Sequence, residues 1–130
     1  MVDVLTFVQS FLGKAGTGTN AANSGQCVGL VERWVTLNDH PAIPGNAVDL
    51  YANADAGSYA KTPNGPVNYP PKGAIVCWDG TWGGGYGHCA VVLAANAMQL
   101  VVFEQNDPEG AAPLVATHSY GGVSGWLTMR

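Results

Sequence analysis

The chain has 130 residues, of which 47% are hydrophobic and 11% are charged, and its net charge at pH 7 is −4. This composition excludes a disordered chain and predicts one globular domain over residues 1–130. The acidic balance, with five scattered Lys and Arg residues, argues against nucleic acid as a partner. Because no long apolar run occurs, we also expect no insertion into a membrane.

Two segments show the periodicity of packing helices. Residues 3–12 place apolar side chains at helical spacing, and Gly13 is a typical stop signal. Residues 46–55 predict a short helix whose N-cap is Asn46. We expect both helices to pack against a core without taking part in chemistry.

A third helix is predicted to begin near Cys27. From this residue the apolar positions recur at i, i+3, i+4, i+7 and i+8, with Asn23 or Ser24 as the N-cap. The free N–H groups and the dipole of a first helical turn stabilise an anion, so we expect a lowered pKa for the Cys27 thiol. Gly29 is expected to let the helix approach the sheet closely. The alternative is that Cys27 is only a small buried apolar residue.

Strand periodicity dominates after residue 73. Four prolines exclude residues 61–73 from the interior of a sheet. Helices followed by a strand meander predict an α+β fold, in which N-terminal helices pack on an antiparallel β-sheet. The predicted strands cover residues 74–79, 88–94, 99–105, 114–118 and 123–129.

Three polar residues at strand ends are candidate partners for Cys27. His88 opens the second predicted strand, while Glu104 and Asn106 share one face of the third. If that face also carries His88, the two polar groups hold the imidazole at Nδ1 and leave Nε2 toward the thiolate. A thiol, an imidazole and a polar orienting group suit acyl transfer. The alternative is that Glu104 and Asn106 belong to a strand-end turn with Asp107–Pro108.

The other histidines and cysteines are interpreted as structural. We expect His40 to be exposed in a polar loop and His118 to serve the packing of a late strand. Cys77 and Cys89 lie on neighbouring predicted strands, where either a disulfide or two free thiols are possible. A Cys/His zinc site is disfavoured because His88 and Cys89, adjacent on a strand, point to opposite faces. We therefore expect no metal and no cofactor.

The chain resembles the CHAP amidohydrolases/peptidases, papain-like hydrolases of bacterial cell walls. The resemblance implies a papain-like fold of the NlpC/P60 type and covers nearly the whole sequence. It is carried by motifs in the family's order, namely Gln26-Cys27-Val28, Gly45-Asn46-Ala47, Gly73-Ala74-Ile75-Val76 with Trp78, Tyr86-Gly87-His88, Glu104-Gln105-Asn106 and Val123-Ser124-Gly125-Trp126.

The resemblance implies a role for each matching residue. Cys27 would be the nucleophile, His88 the general base and Glu104 the group that orients the imidazolium. Asn106 would be an accessory polar residue, and Gln26 would lie beside the Cys27 N–H in an oxyanion hole. The family cleaves amide bonds of peptidoglycan, as N-acetylmuramoyl-L-alanine amidases or as endopeptidases of the stem or cross-bridge.

The glycine-rich connection over residues 80–87 carries two aromatic residues, Trp82 and Tyr86. We expect them to form a wall of the substrate groove, whereas Trp78 is expected to lie in the core. The alternative is that Trp82 and Tyr86 only stiffen the connection.

Some members of the family bind calcium through aspartates near the cysteine. Here Gly29 occupies one such position, and residues 13–26 contain no Asp or Glu. Because Ca²⁺ prefers several oxygen ligands that include carboxylates, we expect no calcium site in this loop. Ala74 likewise replaces an acid common in the family, with a small structural effect.

The N-terminus lacks the positive charge and continuous apolar segment of a secretory signal. By the resemblance, this fits a phage endolysin that is made in the host cytoplasm and acts on the bacterial cell wall after release. A cell-wall-binding domain elsewhere in a longer chain stays open. The alternative functions are a non-catalytic cell-wall-binding module and a small-molecule cysteine amidase, including a relative of the NlpC/P60 type.

Overall fold

A computed structural model describes residues 2–130 of the chain. Helices come first and strands follow, as expected for an α+β fold, with a 3-10 turn at Gly83–Gly85. The elements are α1 Val4–Phe11, α2 Cys27–Leu37, α3 Ala47–Asn53, β1 Tyr59–Pro63, β2 Ile75–Trp78, β3 His88–Ala95, β4 Leu100–Glu104, β5 Leu114–His118 and β6 Val123–Met129.

The six strands form one antiparallel sheet in the order β1-β6-β2-β3-β4-β5. The last strand in sequence, β6, lies in the interior of the sheet between β1 and β2. Strand β1 was not predicted, because it overlaps the start of the proline-containing stretch 61–73, which the sequence predicts as a loop. It lies at the sheet edge, where Pro63 at its end faces Gly125. The exclusion of residues 61–73 from the sheet interior is therefore confirmed.

Both faces of the sheet are apolar. The helices pack against one face, and aromatic side chains such as Trp78 and Trp126 cover the other. Strand β3 is therefore buried on both sides over His88–Val92. The predicted period-2 alternation of β3 is confirmed, because Cys89 and Val91 belong to the helix-facing cluster and Ala90 and Val92 to the opposite one. The helix-facing cluster includes Phe7, Leu30, Trp34, Ile75, Cys77, Cys89, Val91, Phe103 and Leu127, and the opposite cluster includes Trp78, Ala90, Val92, Val102 and Trp126.

Helix α2 begins at Cys27 as predicted, but its N-cap is Gln26 rather than Asn23 or Ser24. The Gln26 backbone is extended, and its carbonyl accepts the first helical hydrogen bond from the Gly29 N–H at 3.1 Å. A Cβ on Gly29 would lie 2.2 Å from the Asn23 carbonyl oxygen. Glycine is therefore needed at position 29 because the loop that precedes the helix packs closely against it. The prediction that Gly29 serves the approach of the helix to the sheet is wrong.

The ends of the other two helices, α1 and α3, agree with the predicted ends within two residues. Asn46 is the N-cap of α3, where the Asp49 carboxylate accepts from its N–H at 3.0 Å. The expected exposure of His40 is wrong, because this side chain is half-buried and both ring nitrogens lie 2.7 Å from carbonyl oxygens of Asn38 and Arg130. The ring thus connects the end of α2 to the residue after β6.

None of the helices in residues 2–130 is long enough and apolar enough to span a bilayer.

Candidate active site

A groove of about 630 Å³ opens at the N-terminus of α2. Cys27, the first residue of the helix, is half-buried and lines this groove. Four chain segments form its walls: the start of α2, the start of α3, the glycine-rich connection between β2 and β3, and the turn after β4. Candidate residues that lie far apart in sequence therefore share one cavity.

His88 and Glu104 meet at one end of the sheet. As whole residues, His88 is 5% exposed and Glu104 is 1% exposed. His88 Nε2 lies 3.1 Å from Glu104 Oε1, so the carboxylate accepts its N–H. The predicted pairing of His88 and Glu104 is found, but the predicted nitrogen is wrong. Because Glu104 occupies Nε2, it is Nδ1 that remains for Cys27.

The surroundings of Cys27 favour a thiolate. The side chains of Cys89 and His88 stabilise the anion against the opposing effect of burial, and they lower the pKa of Cys27 from its ordinary 9.0 to about 5. Burial alone would lower the pKa of His88, but the adjacent Cys27 and Glu104 raise it from 6.5 to about 9. Between these values Cys27 and His88 form a thiolate–imidazolium pair.

Glu104 accepts hydrogen bonds from two histidines rather than one. His118 Nε2 lies 2.7 Å from the same Oε1 that His88 contacts. Burial by itself raises the pKa of Glu104, but the two imidazoles outweigh burial and lower it. The expectation that His118 is only structural misses this contact. The strand register could not reveal it, because His118 pairs with Leu100 and Glu104 pairs with Leu114.

Aromatic rings enclose the His88 imidazole. Trp82 stacks on it with an interplanar angle of 13° and a centroid distance of 5.8 Å, and its indole N–H donates to the Gly121 carbonyl at 3.1 Å. Trp78 is fully buried, as expected, with its ring 5.1 Å from His88. Trp82 and Tyr86 both line the groove, and Tyr86 is 67% exposed. Trp82 therefore contacts the imidazole as well as the groove, which the sequence did not indicate.

Asn106 lines the groove but has a different local role from the one expected. Its Oδ1 accepts from the Gly110 N–H at 2.6 Å, and its own N–H donates to Ala111 at 2.9 Å. Within residues 2–130 it makes no hydrogen bond to His88, so the expectation that it holds the imidazole is wrong. The strand-end turn interpretation is therefore correct for Asn106 and incorrect for Glu104.

Gln105, between the two candidate residues of β4 and its turn, connects the sheet to the start of α2. Its side chain is 1% exposed, and Nε2 donates to the carbonyls of Ser24 at 2.9 Å and Gln26 at 2.8 Å. Gln26 itself lines the groove next to Cys27. The motif Glu104-Gln105-Asn106 was the available signal, but only the fold shows what the central amide binds.

The remaining two thiols lie in the sheet near Cys27. Cys77 and Cys89 are register partners on β2 and β3, and both are fully buried. In the described part of the chain all three cysteines are free, so of the two possibilities the structure has free thiols. Burial raises the pKa of Cys77 to about 12 and that of Cys89 well above its ordinary value, so both stay protonated.

A thiol on a helix start, facing an imidazole and a carboxylate on a sheet, defines a papain-like α+β architecture. Residues 16–106 match the CHAP domain sequence profile, and the chain belongs to the CHAP domain family. Comparison with curated protein sequences gives no match.

Solved structures of similar fold include Ly7917, LysIME-EF1 and PlyC. Ly7917, solved with the hydrolyzing product of MDP, has a TM-score of 0.71 at 20% identity and aligns 95% of this chain with 60% of its own. The wild type endolysin LysIME-EF1 has a TM-score of 0.72 at 19% identity, with 98% of this chain and 64% of its own aligned. PlyC has a TM-score of 0.68 at 20% identity, with 95% of this chain and 34% of its own aligned. The expected papain-like fold is confirmed, and the chain spans less than two thirds of these proteins.

Proposed function

We propose that the chain is a cysteine-dependent peptidoglycan hydrolase that cleaves an amide bond in the bacterial cell wall. The observation that carries the proposal is the position of Cys27 at the start of α2, where it lines an open groove together with His88. The lowered pKa of Cys27 and the raised pKa of His88 support it. Membership of the CHAP family and the fold shared with Ly7917 and LysIME-EF1 support peptidoglycan as the substrate class.

The reaction would proceed in two stages through a thioester. The Cys27 thiolate attacks the amide carbonyl, while the Cys27 N–H, beside Gln26, stabilises the developing oxyanion. His88 donates its proton to the leaving amine as the C–N bond breaks. A water molecule then loses a proton to His88, attacks the thioester and releases the carboxylic acid and the thiolate. Glu104 keeps the imidazole oriented and balances its charge in both stages.

The groove walls suit an extended, partly apolar substrate. Trp82 and Tyr86 line the groove, where they would contact sugar rings or stem-peptide carbons, and Asn106 lines it as an accessory polar group. Both an N-acetylmuramoyl-L-alanine amidase and an endopeptidase of the stem or cross-bridge are compatible with such walls.

The biological setting we propose is that of a phage endolysin or of its catalytic domain. The protein would be made in the host cytoplasm without a signal peptide and would act on the wall after release. The three solved proteins of similar fold are longer than this chain, so a cell-wall-binding domain elsewhere in a longer chain is part of the proposal.

Mass spectrometry of purified walls digested by the wild type and by Cys27→Ala tests this function. We expect new fragments with the wild type alone, and the new ends would identify the bond that is cut. A folded protein that binds walls but releases no fragments would instead indicate the binding module. Cleavage by Cys27→Ala would exclude the thiol mechanism.

A further inference from the structure

Four potential metal ligands converge at one edge of the groove. The ligand atoms of His88, Glu104, Asp107 and His118 all lie within 4.8 Å of one another. Glu104 Oε1 is 3.1 Å from His88 Nε2 and 2.7 Å from His118 Nε2, and Asp107 Oδ2 is 3.8 Å from His118 Nε2. The sequence predicted no metal because these residues share no ligand-spaced motif, and only the fold brings them together.

The spacing of the four atoms suits a small divalent ion. Zinc binds imidazole nitrogens and carboxylate oxygens at about 2.0–2.2 Å, so tetrahedral ligands lie about 3.3 Å apart. The separations of 3.1, 2.7 and 3.8 Å fall on both sides of that value, so ligation requires small shifts of the side chains. Two imidazoles and two carboxylates form a set that favours zinc and related transition metals over calcium or magnesium.

Two of the four ligands are buried and two are partly exposed, so the site combines a shielded interior with access from solvent. The side chains of Glu104 and His88 are 1% and 6% exposed, which shields an ion from competing water. His118 and Asp107 are 17% and 37% exposed, and Asp107 lines the groove with His88. An ion therefore has a path from the groove to the buried pair, with a carboxylate at its entrance.

We propose that His88, Glu104, His118 and Asp107 form a binding site for a divalent transition-metal ion, with Zn²⁺ as its best probe. The bound ion uses Nε2 of His88 and the carboxylate of Glu104, so the imidazole loses its charge-balancing partner. Bound zinc consequently inhibits the hydrolase reversibly. This consequence rests on the proposed function, whereas the binding site itself does not.

Zinc binding is measured by isothermal titration calorimetry on full-length Cys27→Ala, which removes the thiol as a competing ligand. We expect one ion per chain. Adding His118→Gln, which keeps a hydrogen-bond donor for Glu104, should weaken binding by at least about 10-fold. His40→Gln is the matched control, because His40 lies outside the cluster, and it should leave the affinity unchanged.

Cobalt(II) distinguishes this site from a site on the reactive thiol. In the wild type we expect the visible bands of nitrogen- and oxygen-bound cobalt without a thiolate-to-metal charge-transfer band. A thiolate band, no zinc binding by Cys27→Ala, or equal affinities of the His118→Gln and His40→Gln proteins would each overturn the proposed site.

Wall hydrolysis tests the functional consequence. We expect zinc to lower the wild-type rate at least about 10-fold, a chelator to restore it, and the His118→Gln enzyme to lose a smaller fraction of its own rate. A wild type that binds zinc but never cleaves walls would refute the proposed function and leave the metal site intact. Equal inhibition of the wild type and His118→Gln would refute inhibition through this site.

Discussion

At Cys27 the charge state of one sulfur atom is decided by its neighbours. Cys89 and His88 stabilise the thiolate, while burial opposes it. His88 in turn holds its proton because Cys27 and Glu104 outweigh its own burial. The reactive ion pair is therefore a property of the group of side chains, and removal of one member changes the titration of the others.

The first prediction concerns alkylation of Cys27 by iodoacetamide. Since the thiolate is the nucleophile, the rate should rise through about pH 5, where Cys27 titrates in the folded protein, rather than through 9.0. His88→Ala removes one source of stabilisation, so its midpoint should move upward. His40→Ala serves as the control and should keep the wild-type midpoint. A wild-type midpoint near 9.0 would contradict the ion pair.

The second prediction concerns the pH profile of wall hydrolysis. Activity should fall below about pH 5 because Cys27 takes up a proton, and above about pH 9 because His88 loses one. The profile of kcat/KM on a soluble wall fragment is the appropriate measurement. A profile that keeps rising beyond pH 9 would show that neutral imidazole is the active form.

At the scale of elements, the start of α2 is held by contacts with other segments rather than by its own N-cap side chain. Gln26 makes no side-chain capping hydrogen bond. Gln105 from the end of β4 binds the Gln26 and Ser24 carbonyls instead, and Gly29 admits the loop before the helix. The same polar strand end therefore positions both the imidazole and the thiol.

Gln105→Ala should affect stability and catalysis together. Loss of its amide removes two hydrogen bonds to backbone carbonyls, each worth about 0.5–1.5 kcal/mol, so we expect a cost of about 1–3 kcal/mol of unfolding free energy. We also expect a lower kcat/KM, because the Cys27 N–H shifts relative to the groove. Urea unfolding and wall hydrolysis measure the two effects. Gln99→Ala, at an exposed turn, is the control and should change neither.

Gly29→Ala tests the packing of the loop on α2. A methyl group would meet the Asn23 carbonyl at 2.2 Å, and because that atom is backbone the loop must move. We expect a loss of about 1–3 kcal/mol despite the better helix propensity of alanine. Gly65→Ala, whose Cβ meets nothing within 4 Å, should be neutral in thermal unfolding. Equal stabilities of the two variants would contradict the packing argument.

The elements that could be predicted are those whose own pattern decides their structure. Helix α2 and strand β6 follow directly from apolar spacing, and His88 and Glu104 follow from the faces of their strands. Strand β1 could not be predicted because its pairing with β6 overrides an unfavourable composition. The contact of His118 with Glu104 was equally inaccessible, since it joins positions that are not register partners.

At the scale of the whole molecule, the last strand holds the sheet together. Strand β6 pairs with β1 on one side and β2 on the other, and its Leu127 is fully buried in the helix-facing cluster. The segment beyond residue 106, which lies outside the matched family region, thus supplies an interior strand and also carries His118. The fold and the candidate site both depend on it.

Leu127→Ala should therefore destabilise the entire protein. Large-to-small substitution of a fully buried leucine costs about 2–5 kcal/mol, and chemical denaturation should show this loss in a single transition. Leu5→Ala, which removes the same atoms from a side chain that is 53% exposed, should cost clearly less. Similar losses for both variants would show that β6 is not central to stability.

The different exposure of the three cysteines has a practical consequence. Cys77 and Cys89 are sealed inside the sheet and protonated, whereas Cys27 opens on the groove. Toward a water-soluble thiol reagent the native protein should therefore behave as if it contained a single cysteine, and unfolding should reveal the other two. A dye coupled to that cysteine would stand inside the groove, where its emission could report directly whether a wall fragment has entered.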